Sequence, residues 1–329
     1  MKGRLSPSGS GKPAAAKSGR LAASPWRMPA PAWRAVLVRC FKEASADNLG
    51  LISAGVAFYA FLAVAPLLAA TLLAYGLFVD PSMVIEHIRR LANFLPDSVA
   101  ITIGDQLLRL SAAPDEGKGW GLIAALAIAL FGARNGIGAL MTALNIAYEE
   151  EERRGIFRLN ALAILLTLAA MASAGATALL LAGLGALDAA LGHGHALATK
   201  FLQIAAHAVL GLVGAAAAAF LYRYGPCRRK AKWVWLTPGS LLAALAWLAL
   251  ASGFGAYARS IAHFDATYGS LGAVAAILTW IYLASYALLL GAELNSELEH
   301  QTEIDSTRGA PKPRGTRGAW VADHVAGEP

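Results

Sequence analysis

The chain has 329 residues, 57% of them hydrophobic and 15% charged, with a formal net charge of +7 and a mean hydropathy of +0.52. Apolar content is above, and charge content below, that of a water-soluble domain, which argues against a cytosolic enzyme. Uncharged runs such as Leu49 to Val79 and Leu159 to Leu187 exceed the roughly 20 apolar residues that a helix needs to cross a bilayer.

In chain order, residues 1–32 read as a disordered basic arm. Met1 to Pro31 is rich in Ser, Gly, Pro, Ala and Lys and has no acidic residue, so it buries too little apolar surface to offset the entropy of ordering. It holds no compact apolar core of a signal peptide, so no cleavage is expected. From Trp33 the pattern turns helical: Trp33, Val36, Leu37, Cys40 and Phe41 share a spacing while Arg34, Arg39 and Lys42 take other faces. Such a helix suits the lipid interface.

Residues 33–300 are predicted to form one membrane domain of six spans, at roughly 50–78, 120–148, 158–186, 201–222, 235–258 and 267–293. Pro66 removes a backbone bond from the first span and is expected to bend it, freeing a carbonyl near Leu62. In the longest outer loop, Val84, Ile85, Ile88 and Leu91 form one apolar stripe and Val99, Ile103, Leu107 and Leu110 another, separated by Pro96. They predict two amphipathic helices on the outer surface. Gly175, Gly183, Gly185, Gly211 and Gly214 are expected to let helices approach closely. Residues 301–329 read as a second disordered segment. The predicted fold class is therefore an all-α polytopic membrane helix bundle with disordered ends.

Orientation follows from the basic residues. With the N-terminus inside, 21 of the 28 Lys and Arg fall in the inner segments 1–49, 149–158, 223–234 and 293–329, against six outside. That asymmetry predicts both termini in the cytoplasm. The loop bearing Arg223, Arg228, Arg229, Lys230 and Lys232 is its strongest anchor, read as a topological determinant beside anionic headgroups. Cys40 and Cys227 then lie on the reducing side and serve as small apolar residues.

Arg134, in Phe131-Gly132-Ala133-Arg134-Asn135-Gly136, sits near the middle of the second span, where an arginine costs about 2.5 to 3.5 kcal/mol on insertion scales. No Asp or Glu lies at comparable depth in another span. Two readings stand. Arg134 bonds the carbonyl freed by Pro66, or hydroxyls such as Ser173, Thr177 and Thr279, and glues the helices. Alternatively, Arg134 with Asn135 meets a passing anionic group, a lipid phosphate suiting its bidentate geometry. Near the inner mouth, Asn145, Asn160, Glu293 and Asn295 form a candidate polar cluster, or are ordinary polar helix ends. Glu149 to Glu152 with Arg153 and Arg154 reads as a solvated turn.

There is no phosphate-binding loop, no Gly-x-Ser-x-Gly elbow, no Cys pair at zinc spacing and no His-Glu-x-x-His. His193 and His195 lack the neighbours of a metal site, and His207 reads as a packing residue. No enzymatic activity, metal, cofactor or nucleic-acid partner is expected; the expected partners are membrane lipids, with an anionic lipid as substrate.

The stretch Thr267-Tyr268-Gly269-Ser270-Leu271-Gly272-Ala273-Val274, continuing through Trp280-Ile281-Tyr282-Leu283 to Gly291-Ala292-Glu293-Leu294-Asn295, resembles the last span of the YihY/BrkB family of bacterial inner-membrane proteins. Ala57-Phe58-Tyr59, Ala65-Pro66-Leu67, Leu95-Pro96, Ala143-Leu144-Asn145 with Tyr148, and Pro238-Gly239 support it, so the resemblance covers about residues 33–300. It marks Tyr268, Gly269, Trp280, Tyr282, Gly291 and Glu293 as motif positions. The resemblance implies a six-span inner-membrane protein without an assigned enzymatic activity. The family's former ribonuclease BN label finds no supporting residue here. Relatives described as virulence factors, or as moving lipids, imply a transporter or flippase-like protein for anionic lipids or lipid-linked envelope precursors. The alternative is a non-transporting envelope scaffold.

Overall fold

Inside a bilayer the backbone finds no water, so a spanning chain must satisfy its N–H and C=O groups within helices or a closed barrel. The computed structural model of the chain describes residues 19–63, 115–191, 196–260 and 270–327. Among these, regular structure is helical apart from one isolated antiparallel bridge between Ala231 and Thr307. The helices are α1 (Ala30–Ala46), α2 (Leu49–Leu62), α3 (Asp115–Ala147), α4 (Ile156–Leu191), α5 (Ala196–Tyr224), α6 (Trp233–Ser260), α7 (Ser270–His300) and the short α8 (Trp320–Asp323).

Five segments are long and apolar enough to cross a membrane: Leu126–Ala147, Ile156–Leu187, Leu197–Tyr224, Trp233–Gly253 and Val274–His300. A sixth arises if α1 and α2, bent by 62°, count as one broken span. The protein is thus an all-α polytopic membrane protein, as its sequence predicts. The bend sits at Asn48, whose φ of 54° is left-handed, a conformation Asn tolerates better than most residues. Its Nδ2 donates to the Ala46 carbonyl at 3.1 Å. The continuation of the predicted first span, with Pro66, lies outside the described residues. So do the outer-loop stripes from Val84 to Leu110, His193, His195, Tyr268 and Gly269.

The chain divides into two compact units, residues 1–57 with 138–329, and residues 58–137. In the first, α7 packs along α6, α6 along α5, α5 along α4, and α1 lies against α7. In the second, Gly132 and Gly136 sit one turn apart on α3. A Cβ at Gly132 would stand 3.0 Å from the Ala63 backbone, and one at Gly136 3.3 Å from that of Ala60. Small residues permit that approach, which is where helices in lipid gain packing. Among the described residues nothing lies within 4 Å of a Cβ built on Gly175, Gly183 or Gly185, whereas Gly211 meets Leu248 and Gly214 meets Ala244.

The predicted amphipathic helix is α1, but it has two apolar faces. Ala32, Val36 and Cys40 join a core with Trp235, Leu294 and Leu298, while Leu37, Val38 and Phe41 are exposed. The predicted disorder at the ends is corrected over residues 19–32 and 301–327. Ala22, Met28 and Ala32 are buried, the Thr302 hydroxyl donates to the Ala22 carbonyl at 2.8 Å, and the Glu303 N–H donates to the Arg20 carbonyl at 2.8 Å. Neither segment has the apolar content to fold alone. Each satisfies backbone groups of the other across 280 positions of sequence, a pairing that local composition does not encode.

Candidate functional site

The described helices enclose an apolar cavity of about 620 Å³. Small residues of α4, α5, α6 and α7, among them Ala174, Gly214, Ala244 and Ala284, hold its walls back from the centre. Trp247 and Trp280, with ring centroids 6.2 Å apart, close one side, so the motif position Trp280 is a wall residue. Ser173, Thr177 and Ser285 are its hydroxyl-bearing residues, and Thr177 spends its hydroxyl on the Ser173 carbonyl at 2.7 Å. A lining so poor in free polar groups suits hydrocarbon chains.

Leu221, Ala243 and Leu288 belong to the same lining, and next to them α6 and α7 meet backbone to backbone, with α5 reaching α7 through Tyr222. A Cβ on Gly239 would meet the Gly291 carbonyl, and one on Gly291 would stand 2.5 Å from the Tyr222 hydroxyl. Tyr222 donates that hydroxyl to the Leu288 carbonyl at 2.6 Å. Pro238 supplies no N–H to the Val234 carbonyl four residues earlier, and the Thr237 hydroxyl donates to it instead at 2.9 Å. Asn295 bonds α6 on both sides of the proline: its Oδ1 accepts from the Gly239 N–H at 2.8 Å, and its Nδ2 donates to the Leu236 carbonyl at 3.2 Å.

Beyond this crossing lies a polar end. Residues four apart share a helix face, so Glu293 and Glu297 form one row on α7, and Asn295 and Glu299 another. In the second row Glu299 pairs with Arg228 at 2.7 Å, the two side chains being 0% and 1% exposed. The Arg228 guanidinium lies 4.6 Å from the Tyr148 ring centroid, and the Ser306 hydroxyl donates to Glu299 at 2.6 Å. Burial pushes the Tyr148 phenol above its ordinary range. The basic loop, expected beside headgroups, is in large part spent internally. Arg223 donates to the Ala231 carbonyl and lies over the Trp233 ring, and Lys232 Nζ donates to the Asp305 carbonyl at 2.7 Å.

Asn145 is the hub of the predicted cluster. Its Nδ2 donates to Glu152 at 3.0 Å and its Oδ1 accepts from the Cys227 N–H at 2.7 Å. Arg154 donates three times to Glu152, once from its backbone N–H and twice from its guanidinium, and once to the Gly225 carbonyl, and its side-chain hydrogen bond holds the Glu152 carboxyl down to about 2. The turn from Glu149 to Arg154 keeps Glu149, Glu151, Glu152 and Arg153 exposed, as a solvated turn should, while Glu150 and Arg154 are half-buried. Glu150 accepts from the Trp320 N–H at 2.7 Å. Such pairings carry no periodic signal, which is why charge counting missed them.

In the first row, Glu297 accepts from Arg39 at 2.5 Å, and Glu293 is buried with Oε2 lacking a hydrogen-bond partner among the described residues. The predicted four thus do not make one site. Asn145 belongs to the turn network, Asn295 to the helix crossing and Glu293 to an acidic cavity described below, while Asn160 is half-buried near the start of α4. Arg134, part-buried, donates to Asn135 Oδ1 at 2.7 Å. Tyr282, the remaining described motif residue, places its hydroxyl 3.4 Å from where a Gly50 Cβ would stand. Arg228, Glu299, Tyr148 and Ser306 were not singled out as site residues, although the basic loop and the carboxylates spaced along the end of α7 mark both halves of the ion pair.

Residues 40–316 match the family model described as virulence factor BrkB. The chain is 31% identical over 189 residues to the "Putative ribonuclease-like protein YfkH" of Bacillus subtilis, covering 56% of this chain and 66% of that protein. It is 40% identical over 67 residues to the "UPF0761 membrane protein Smlt0865" of Stenotrophomonas maltophilia, covering 20% of this chain and 16% of that one. A UPF0761 membrane protein of Vibrio cholerae is 31% identical over 90 residues, 26% of this chain and 30% of its own. The chain therefore spans just under two thirds of the first of these relatives and less than a third of the other two. No solved structure matches.

Proposed function

The chain belongs to the virulence factor BrkB family, and from that membership we propose a bacterial inner-membrane protein that binds amphiphiles in its apolar cavity and moves anionic lipids or lipid-linked envelope precursors between leaflets. The observation that carries this reading is the cavity of about 620 Å³, walled by membrane-crossing helices and lined almost wholly by hydrocarbon. A separate contact for a headgroup phosphate is proposed at Arg134 and Asn135 in the second unit, where a guanidinium offers paired donors.

Both termini are proposed to be cytoplasmic. Support comes from the bonds joining the four basic segments, Arg39 to Glu297, Glu150 to Trp320 and Lys232 to Ser306, which suit a shared side of the membrane. Those segments hold 21 of the 28 Lys and Arg, and such an excess marks the cytoplasmic face. Without a nucleotide-binding motif, movement is driven by a gradient, by a partner, or downhill. No catalytic step enters the proposal, and the scaffold reading leaves the cavity unexplained.

The test is reconstitution into liposomes and measurement of fluorescent phosphatidylglycerol exchange between leaflets. Ala217→Phe and Ala284→Phe, which fill the cavity, are expected to cut the protein-dependent rate at least tenfold with the fold retained, and Arg134→Ala to slow anionic lipids more than zwitterionic ones. Absence of movement by folded protein, across lipid classes and with an imposed proton gradient, would overturn the proposal in favour of a scaffold.

A further inference from the structure

A second cavity, of about 240 Å³, lies between α1, the turn after α3, α7 and the C-terminal segment. It shares no lining residue with the apolar cavity. Four carboxyl groups line it, Glu43, Glu149, Glu293 and Glu297, with Arg39 and His300 as the basic side chains beside them.

Both basic side chains face the same acid. Arg39 donates Nε to Glu297 at 2.5 Å and Nη2 to Gln301 at 2.7 Å, and His300 Nδ1 lies 3.7 Å from Glu297. Glu43, Glu149 and Glu293 enter no ion pair among the described residues. Glu293 is 2% exposed and its Oε2 is buried without a hydrogen-bond partner among them. A buried acceptor left unmade is costly, and the buried Glu293, with the half-buried Glu43 and the exposed Glu149 on the same cavity, makes it a seat for positive charge.

The chemistry of the occupant is constrained. Among the described residues no three His, Cys, Asp or Glu side chains are grouped to hold a metal ion, so the acids are too dispersed to chelate. An ammonium, with three donors pointing apart, reaches dispersed carboxylates without that convergence. Trp320 also lines the cavity, its ring stacked on His324 at 4.4 Å. The volume lies below the 300–1,000 Å³ of drug-sized pockets, which selects a compact ligand.

We propose that this cavity is a binding site for a primary alkylammonium group, supplied either by a free aliphatic amine or by the headgroup of an aminophospholipid, with Glu293 as its principal acceptor and Glu149 as its second.

The test uses the full-length chain in phosphatidylglycerol nanodiscs with radiolabelled putrescine as probe. Saturable binding is expected, weakened at least tenfold by Glu293→Gln and severalfold by Glu149→Gln, and unchanged by Glu151→Gln at the exposed neighbouring position. Repeating the titration in discs that contain phosphatidylethanolamine separates the sources: competition assigns the lipid headgroup, and undiminished binding assigns the free amine. No saturable binding in phosphatidylglycerol discs, or binding that both substitutions leave unchanged, overturns the site. Should Glu293→Gln fail to fold, Glu149→Gln alone decides.

Discussion

Asn295 on α7 and Gly239 on α6 share a hydrogen bond of 2.8 Å, the side-chain Oδ1 accepting from the backbone N–H. One residue before Gly239, Pro238 interrupts the backbone ladder of α6. The same amide donates to the Leu236 carbonyl, so a single side chain bridges the irregular turn and fixes the register of two membrane helices. Because Gly239 and Gly291 bring the two backbones together here, a water molecule has little room to replace the amide.

Asn295→Ala is therefore expected to leave a buried N–H unmade, at a cost of about 1–3 kcal/mol. Gly291→Ala should be worse, since its methyl group would press on the Gly239 carbonyl and stand 2.5 Å from the Tyr222 hydroxyl, forcing the helices apart. Ser252→Ala is the control, because that exposed hydroxyl bonds only the Leu248 carbonyl of its own helix. Thermal unfolding in detergent should rank the midpoints in the order Ser252→Ala, Asn295→Ala, Gly291→Ala, highest first. Equal midpoints for the first two would remove Asn295 from this role.

The Arg228–Glu299 pair, with side chains 1% and 0% exposed, predicts strong coupling. Removing one member strands a buried charge at a cost of about 3–5 kcal/mol, whereas replacing both by apolar residues of similar size costs far less. Arg228→Met and Glu299→Met should each lower stability sharply, and the double substitution should cost less than either alone. A double-mutant cycle on unfolding free energies measures the coupling; additive losses would show that the pair contributes nothing as a pair.

Much of this architecture is legible in the sequence, and for a physical reason. A bilayer demands long apolar helices, so composition alone places the spans: the predicted 201–222 and 235–258 correspond to Leu197–Tyr224 and Trp233–Gly253. Motif positions were legible as special residues but not as interactions. Gly291 and Asn295 turn out to hold a helix crossing, and Glu293 to line an acidic cavity. The ends were misread because their stability is not local. Thr302 depends on carbonyls of Arg20 and Ala22, partners that no window of sequence contains together, and Arg317 bonds the carbonyls of Glu303, Lys312 and Ala322 at spacings that follow no helix or strand period.

Glu152 gives a pH dependence with a defined sign. Hydrogen bonds from Arg154 hold its carboxyl at about 2, below the ordinary 4.5, so the folded state binds its proton less readily than the unfolded chain. The resulting stability is fully present above pH 4.5 and is lost as the pH falls from there towards 2. Wild type and Glu152→Gln should therefore differ in unfolding midpoint at pH 6 and converge between pH 4.5 and 2. A gap that stays constant across that range would show that Glu152 acts through shape and not through charge. The pair is partly open to solvent, so the gap should also narrow in high salt.

Truncation after Thr302 tests the C-terminal segment and separates two functional readings. It removes the Ser306 donor to Glu299, the pairing of Lys230 and Lys232 with Arg308 and Ser306, and the Trp320 donor to Glu150. Each such bond contributes about 1 kcal/mol, and a loss of 1 kcal/mol moves the midpoint by about 2 °C or more in a large domain. The truncated chain should unfold at least about 4 °C lower than the full chain. The apolar cavity, lined by residues no later than Leu288, stays complete. At a temperature where the truncated protein remains folded, leaflet exchange in liposomes should persist. If exchange persists while the midpoint falls, the segment is a structural clasp on the polar end. If the midpoint is unchanged and function in cells is lost, the segment serves a partner, as a scaffold requires.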